Sequence, residues 1–138
     1  MNRESLLAVV DALPEAALTV IPDGFNNHVL WNAGHLAATE QQLTLGLSGL
    51  PLDLPEGFVD DLRKGSSPRH WRREWTWAEV RELLLMLPNR AGDFFPFQRP
   101  YRTTPGVVLE GVNDAVRFNL YHEEIRLGAI LALRKLVG

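Results

Sequence analysis

An all-α protein, an up-and-down bundle of four main helices, is the fold class this sequence predicts. Three observations carry the prediction. Apolar residues recur at helical spacing in four separate segments, Gly- and Pro-rich connections divide those segments, and alternating strand patterns are nearly absent. A chain of 138 residues is long enough to bury a core and suits a single domain over 1–138.

The first helix is expected to start at Asn2, a capping residue, with Leu6, Leu7, Val10 and Leu13 on one face. Pro14 interrupts it, and PEAALTVIP reads as a short continuation ending at Pro22. After the turn PDGFNN, Asn26 or Asn27 is expected to cap a second helix that runs to about Ser48. Its apolar or small face is Trp31, Gly34, Ala38 and Leu45, and His28 and His35 share that face. SGLPLDLPEG closes the helix, EGFVDDLRK offers a short helical piece, and GSSPRHWRREW reads as a polar loop. Thr76 caps a third long helix whose buried side is Trp77, Val80, Leu84, Leu87 and Phe94 or Phe95, with a break or kink at Pro88. The last helix is expected to begin at the Thr104 cap, with Pro105 at its first position, and to run to about Val137. Val108, Val112, Ala115, Phe118, Ile125, Ala129 and Leu133 form its expected core stripe.

Composition excludes several function classes. Hydrophobic residues make up 46% and charged residues 22%, and the net charge is −3, which argues against general nucleic-acid binding because that needs a basic face. No stretch approaches the length of a membrane span. The N-terminus MNRESLLAVV lacks the long apolar run and small-residue cleavage site of a signal peptide, so the expected location is cytoplasmic. With no cysteine, any first-row metal must be held by His, Asp or Glu.

The informative anomaly lies on the last helix, where Asn119, His122 and Arg126 fall within an apolar stripe. Buried polar groups need partners. His35 occupies a similar position on the second helix, and bundle cores are where such side chains from facing helices build metal sites. The alternative is two unrelated core histidines, each with a local partner. LYHEEIRLGAI would read H-E-x-x-H if Arg126 were a histidine. A guanidinium has no lone pair and cannot ligate a metal. Arg126 reads as an anion clamp, as the partner of a neighbouring acid, or as a stem that snorkels to the surface. RHWRREWTW interleaves arginines with tryptophans, which can mark single-stranded nucleic acid but more often is a loop whose tryptophans plug the end of a bundle. Arg99 and Arg102 beside Tyr101 repeat that signal more weakly. Leu120, Leu127 and Leu131 lie off the main stripe, apolar surface that suggests a homodimer.

The order and spacing of these segments resemble the DinB-like four-helix-bundle superfamily, in its short single-domain branch, over nearly the whole chain. HVLWNAGHLAATEQQL is similar to that family's W-x-x-x-H-L-A-x-x-E opening, GFVDDLRKGSSP to the loop that follows and TWAEVRELLLML to the third helix. The last helix is similar to an H-E-x-x-H-x-G-x-I ending. The resemblance implies a divalent metal, often Ni²⁺ or Zn²⁺, held by a histidine of the second helix and two of the last. By position these are His35, His122 and the residue now occupied by Arg126. Some members are thiol-dependent S-transferases that use the metal to activate a low-molecular-weight thiol such as bacillithiol or mycothiol. On that reading His35 and His122 hold the metal, Glu123 or Glu40 is an extra ligand or supports one, and Trp31 and Asn119 line the site. On the other reading the chain is metal-free and binds a small anion or simply dimerises, with Arg126 replacing the charge of the metal.

Overall fold

The computed structural model describes residues 2–47, 49–86, 101–103, 106–109 and 112–137. It is an all-α helical bundle. α1 spans Asn2–Asp11, α2 Val29–Gln41, α3 Phe58–Leu62, α4 Trp77–Met86 and α5 Val112–Val137. Short 3₁₀ turns cover Glu15–Thr19 and Pro68–His70, and the end of α2 widens into a π-helical turn over Gln42–Gly46. No described helix is long and apolar enough to cross a membrane.

α2 is the central element and packs against α3, α4 and α5, while α1 lies against α5. The sequence suggests one apolar face for α2. In the structure every residue from Val29 to Ala38 is buried, because α3, α4 and α5 all pack on it. Its start also differs from expectation. Neither Asn26 nor Asn27 supplies the cap; the Nδ1 of His28 accepts the Trp31 backbone N–H at 3.0 Å. Asn27 instead accepts a bond from the Asn32 side chain at 3.2 Å. α2 ends at Gln41, and Ser48 lies outside the described residues.

α3 sits hard against α2. A Cβ on Gly34 would stand 2.6 Å from Leu62 Cδ1, so any side chain there would have to displace the buried Leu62 side chain. α4 starts where Thr76 predicts. The Thr76 hydroxyl accepts the Glu79 N–H at 3.2 Å and the Glu79 carboxylate accepts the Thr76 N–H at 3.0 Å, a reciprocal capping box. Val80 and Leu84 are buried and Trp77 packs at the edge of the core. Leu87, Pro88, Phe94, Phe95 and Arg99 lie outside the described residues.

The last helix corrects the expectation most. It begins at Val112, because the segment before it turns back as a small antiparallel hairpin of β1 (Tyr101–Arg102) and β2 (Val108–Leu109). Thr104 and Pro105 lie outside the described residues. Thr103 pins the hairpin: its N–H donates to the Val107 carbonyl at 2.9 Å and its hydroxyl accepts the Val107 N–H at 3.1 Å. Gly106 follows with φ +93°, a conformation that suits glycine. Val108 is therefore an exposed strand residue and not part of a helical stripe. The buried side of α5 is Ala115, Asn119, Glu123, Ile130 and Leu133, while Ile125 is 47% exposed. Leu127 is partly buried against the core, and Leu120 remains exposed.

The RHWRREWTW loop packs its tryptophans against the core. Asp61 organises it: its carboxylate accepts the Trp75 indole N–H at 2.9 Å and the Arg72 backbone N–H at 3.2 Å, and its carbonyl accepts the Trp71 indole N–H at 3.0 Å. Trp75 is buried under Phe58. Arg73 stacks on the Trp75 ring at 3.7 Å and pairs with Glu79.

Candidate functional site

His35 of α2 and His122 of α5 face each other across the bundle, with ring centroids 5.1 Å apart at an interplanar angle of 67°. Trp31, one turn before His35, stacks on it at 4.7 Å and 8°. The Trp31 indole N–H donates to Ser66 Oγ at 3.0 Å, which ties the ring to the loop after α3. The tautomer of His35 follows from its partner: Nδ1–H donates to the Leu62 carbonyl at 2.7 Å. Nε2 then keeps its lone pair, with the Thr39 hydroxyl 3.5 Å away. This carbonyl comes from α3, whose Leu62 side chain packs over Gly34.

Arg126 stands one turn along α5 from His122. Its Nε–H donates to His122 Nε2 and one of its terminal N–H groups to Asn32 Oδ1, each at 3.4 Å. Its guanidinium carbon lies 5.6 Å from the centre of the Trp31 ring, within cation–π range. Because His122 Nε2 accepts, its proton sits on Nδ1, which is buried without a partner among the described residues. Burial holds both imidazoles neutral. His35 is lowered to about 4, with its bond to Leu62 opposing the shift and the charges of Arg126 and Lys64 adding to it. His122 is lowered to about 3 by burial, then by His35, Arg126 and Lys64. Burial also lowers the Arg126 pKa, though a guanidinium stays charged at neutral pH.

The two glutamates have another task. Arg3 of α1 donates from Nε to Glu123 Oε1 at 2.7 Å and from a terminal nitrogen to Glu40 Oε2 at 2.6 Å, and it also bonds the Leu84 carbonyl. Asn119 donates to the other oxygen of Glu123 at 3.1 Å. One guanidinium thus joins α1, α2, α4 and α5. Burial tends to lower the Arg3 pKa, but Glu123 and Glu40 outweigh it and the pKa is raised. Burial raises the Glu40 pKa against the opposing pull of Arg3. Glu40, Glu123 and Asn119 are therefore parts of a structural network around Arg3.

A cavity of about 610 Å³ opens beside the histidines, within the roughly 300–1,000 Å³ range of small-molecule pockets. His35, His122, Arg126, Lys64 and Thr39 line its polar part. Leu43, Leu47, Leu52, Phe118 and Ile125 line the rest. The π-helical turn contributes Gln42, Leu43 and Gly46 to the wall, as such turns often do at functional sites. Among the described residues no carboxylate lines the cavity, and none lies within ion-pairing distance of Arg126.

Sequence reasoning brings out His35, His122, Trp31 and Arg126, which the structure gathers at one place. It misses Asn32, which orients Arg126, and Lys64, which adds a second cation. It also misses Arg3, although Arg3 shares the face of Leu6, Leu7 and Val10. A charge on an apolar stripe was the available signal.

Fold and site together define an all-α bundle with a histidine pair between a central helix and the last one, opening on a cavity. The model of the DinB superfamily matches residues 1–130, and the chain belongs to that superfamily. No curated protein matches the chain.

The donor set does not fit the tight three-ligand metal site that the resemblance implies. Arg126 offers no lone pair, His122 Nε2 already accepts from Arg126, and both nearby glutamates are paired with Arg3. Among the described residues no three His, Asp or Glu side chains converge on a point where a metal could be held.

Proposed function

We propose that this DinB-superfamily protein binds a small anion in its bundle cavity, with Arg126 supplying the positive charge that a divalent metal would supply beside a third histidine. The observation that carries the reading is the half-buried Arg126 guanidinium, which has no carboxylate partner among the described residues. Removing a cation from water is costly unless an anion or strong acceptors compensate. Arg3 shows how this fold compensates a cation, with two carboxylates. Arg126 has a neutral imidazole and an amide oxygen at 3.4 Å, and Lys64 adds further positive charge at the same cavity. Two of its five N–H groups are engaged, which leaves others for a carboxylate or phosphate oxygen.

The test is titration with acetate and inorganic phosphate at low ionic strength, followed by tryptophan fluorescence, since Trp31 adjoins both His35 and Arg126. Saturable binding that weakens at least about tenfold in Arg126→Gln, with helix content unchanged, supports the reading. Equal responses in both proteins would refute it.

A second reading keeps the metal. His35 favours it, because a histidine whose Nδ1–H is held by a carbonyl presents Nε2 in the form a metal ligand needs. In that reading His35 and His122 hold Ni²⁺ or Zn²⁺, a bound low-molecular-weight thiol is activated for transfer, and Arg126 must leave His122. The metal-free reading needs no such rearrangement.

A further inference from the structure

The cavity is built in two parts, and the division says what kind of anion fits it. Arg126, Lys64, His35 and His122 line it and act on one another, forming its charged part. Leu43 from the π-helical turn, Leu47 just after it, Leu52 from the loop that follows, and Phe118 and Ile125 from α5 supply its apolar part. Leu43 and Phe118 belong to a small second core, with Leu109 and Ala115, so part of the apolar wall is held by packing. Thr103, fixed by its hairpin bonds, borders the cavity as well. Inorganic phosphate or acetate satisfies the cations and leaves the apolar wall wet. A neutral apolar molecule fills the wall and leaves the guanidinium uncompensated.

We propose that the ligand is an amphiphilic organic monoanion, a carboxylate carrying an unbranched or compact apolar tail, with its head at Arg126 and Lys64 and its tail along Leu43, Leu47, Phe118 and Ile125. This rests on the anion-binding reading above and adds the tail to it. The remaining N–H groups of a planar guanidinium match the two oxygens of a carboxylate. The volume of about 610 Å³ exceeds what a head group alone needs.

The test is isothermal titration of the full chain with acetate, butanoate, octanoate, inorganic phosphate and octyltrimethylammonium. Burying a methylene is worth up to about fourfold in affinity, so with partial burial octanoate is expected to bind at least about tenfold more tightly than butanoate. Arg126→Gln is expected to weaken octanoate at least about tenfold. Ile125→Ser, at a half-exposed position whose replacement should leave the fold intact, is expected to shrink the gap between octanoate and butanoate without affecting acetate. Equal affinity for acetate, butanoate and octanoate, all lost in Arg126→Gln, overturns the amphiphile and leaves the anion site standing. Binding of octyltrimethylammonium as tight as that of octanoate, or no binding of any anion, overturns both.

Discussion

Arg126 and His122 stand one helical turn apart on α5, and the Nε–H of Arg126 is directed at His122 Nε2 from 3.4 Å. That contact uses the nitrogen a metal would need. It also fixes the guanidinium beside Trp31 and His35, at the polar end of the cavity. Both consequences follow from one side chain at one position, and they separate this site from a three-histidine one.

Arg3 is the side chain whose loss should cost the fold most. Arg3→Met leaves Glu40 and Glu123 buried without their cation, a change of the kind that destabilises by roughly 3–5 kcal/mol. The two carboxylates can relieve this only by taking up protons. The penalty should therefore grow as pH rises from about 5 to 8, which urea denaturation of both proteins at several pH values would reveal. A pH-independent loss below about 1 kcal/mol contradicts this.

Acid should destabilise the native protein as the pH falls below the ordinary histidine range. His28 is lowered to about 4 by burial and, as the α2 cap, accepts the Trp31 N–H in its neutral form. His35 is also lowered to about 4 by burial. A folded pKa below the ordinary value of 6.5 means the unfolded chain binds more protons between those limits. Stability is then complete above about pH 6.5 and falls towards pH 4, by up to about 1.4 kcal/mol per pH unit for each imidazole. Denaturation midpoints that are flat between pH 7 and 5 would sink this assignment.

Gly34→Ala opposes two effects. Alanine gains up to about 1 kcal/mol in helix propensity. Its Cβ meets Leu62 Cδ1 at 2.6 Å, and Leu62 is fully buried, so overpacking of about 1–3 kcal/mol should win. The variant should melt lower, and the His35 Nδ1–H resonance should shift as the Leu62 carbonyl moves. A higher melting temperature would show that α3 yields freely.

The all-α class was legible because periodicity in Leu6, Leu7 and Val10 or in Val80 and Leu84 reports directly on a buried helical face. The pairing of His35 with His122 was legible from their phase and the family pattern. What the sequence hid depends on which side chains bond to which. His28 caps α2 where Asn26 and Asn27 are the stronger local candidates, and Asn27 accepts from Asn32 instead. Val108 and Leu109 read equally well as the start of a helical stripe, and it is the antiparallel pairing with Tyr101–Arg102, closed by the Thr103–Val107 bonds, that makes them a strand. Lys64 gave no signal, since a lysine after a short helix is ordinary until the loop folds it towards His35.

The most direct measurement is isothermal titration of the native protein and Arg126→His with Zn²⁺ and Ni²⁺. A guanidinium about 6 Å from a divalent ion costs roughly 5 kcal/mol at an effective dielectric of 20, and two imidazoles leave few strong donors to offset it. The native protein should show no stoichiometric tight binding. Arg126→His places a third imidazole one turn from His122, and its affinity should rise by several orders of magnitude and weaken as pH falls through the histidine range. One equivalent bound by the native protein with submicromolar affinity would contradict the claim that Arg126 has taken the place of the metal.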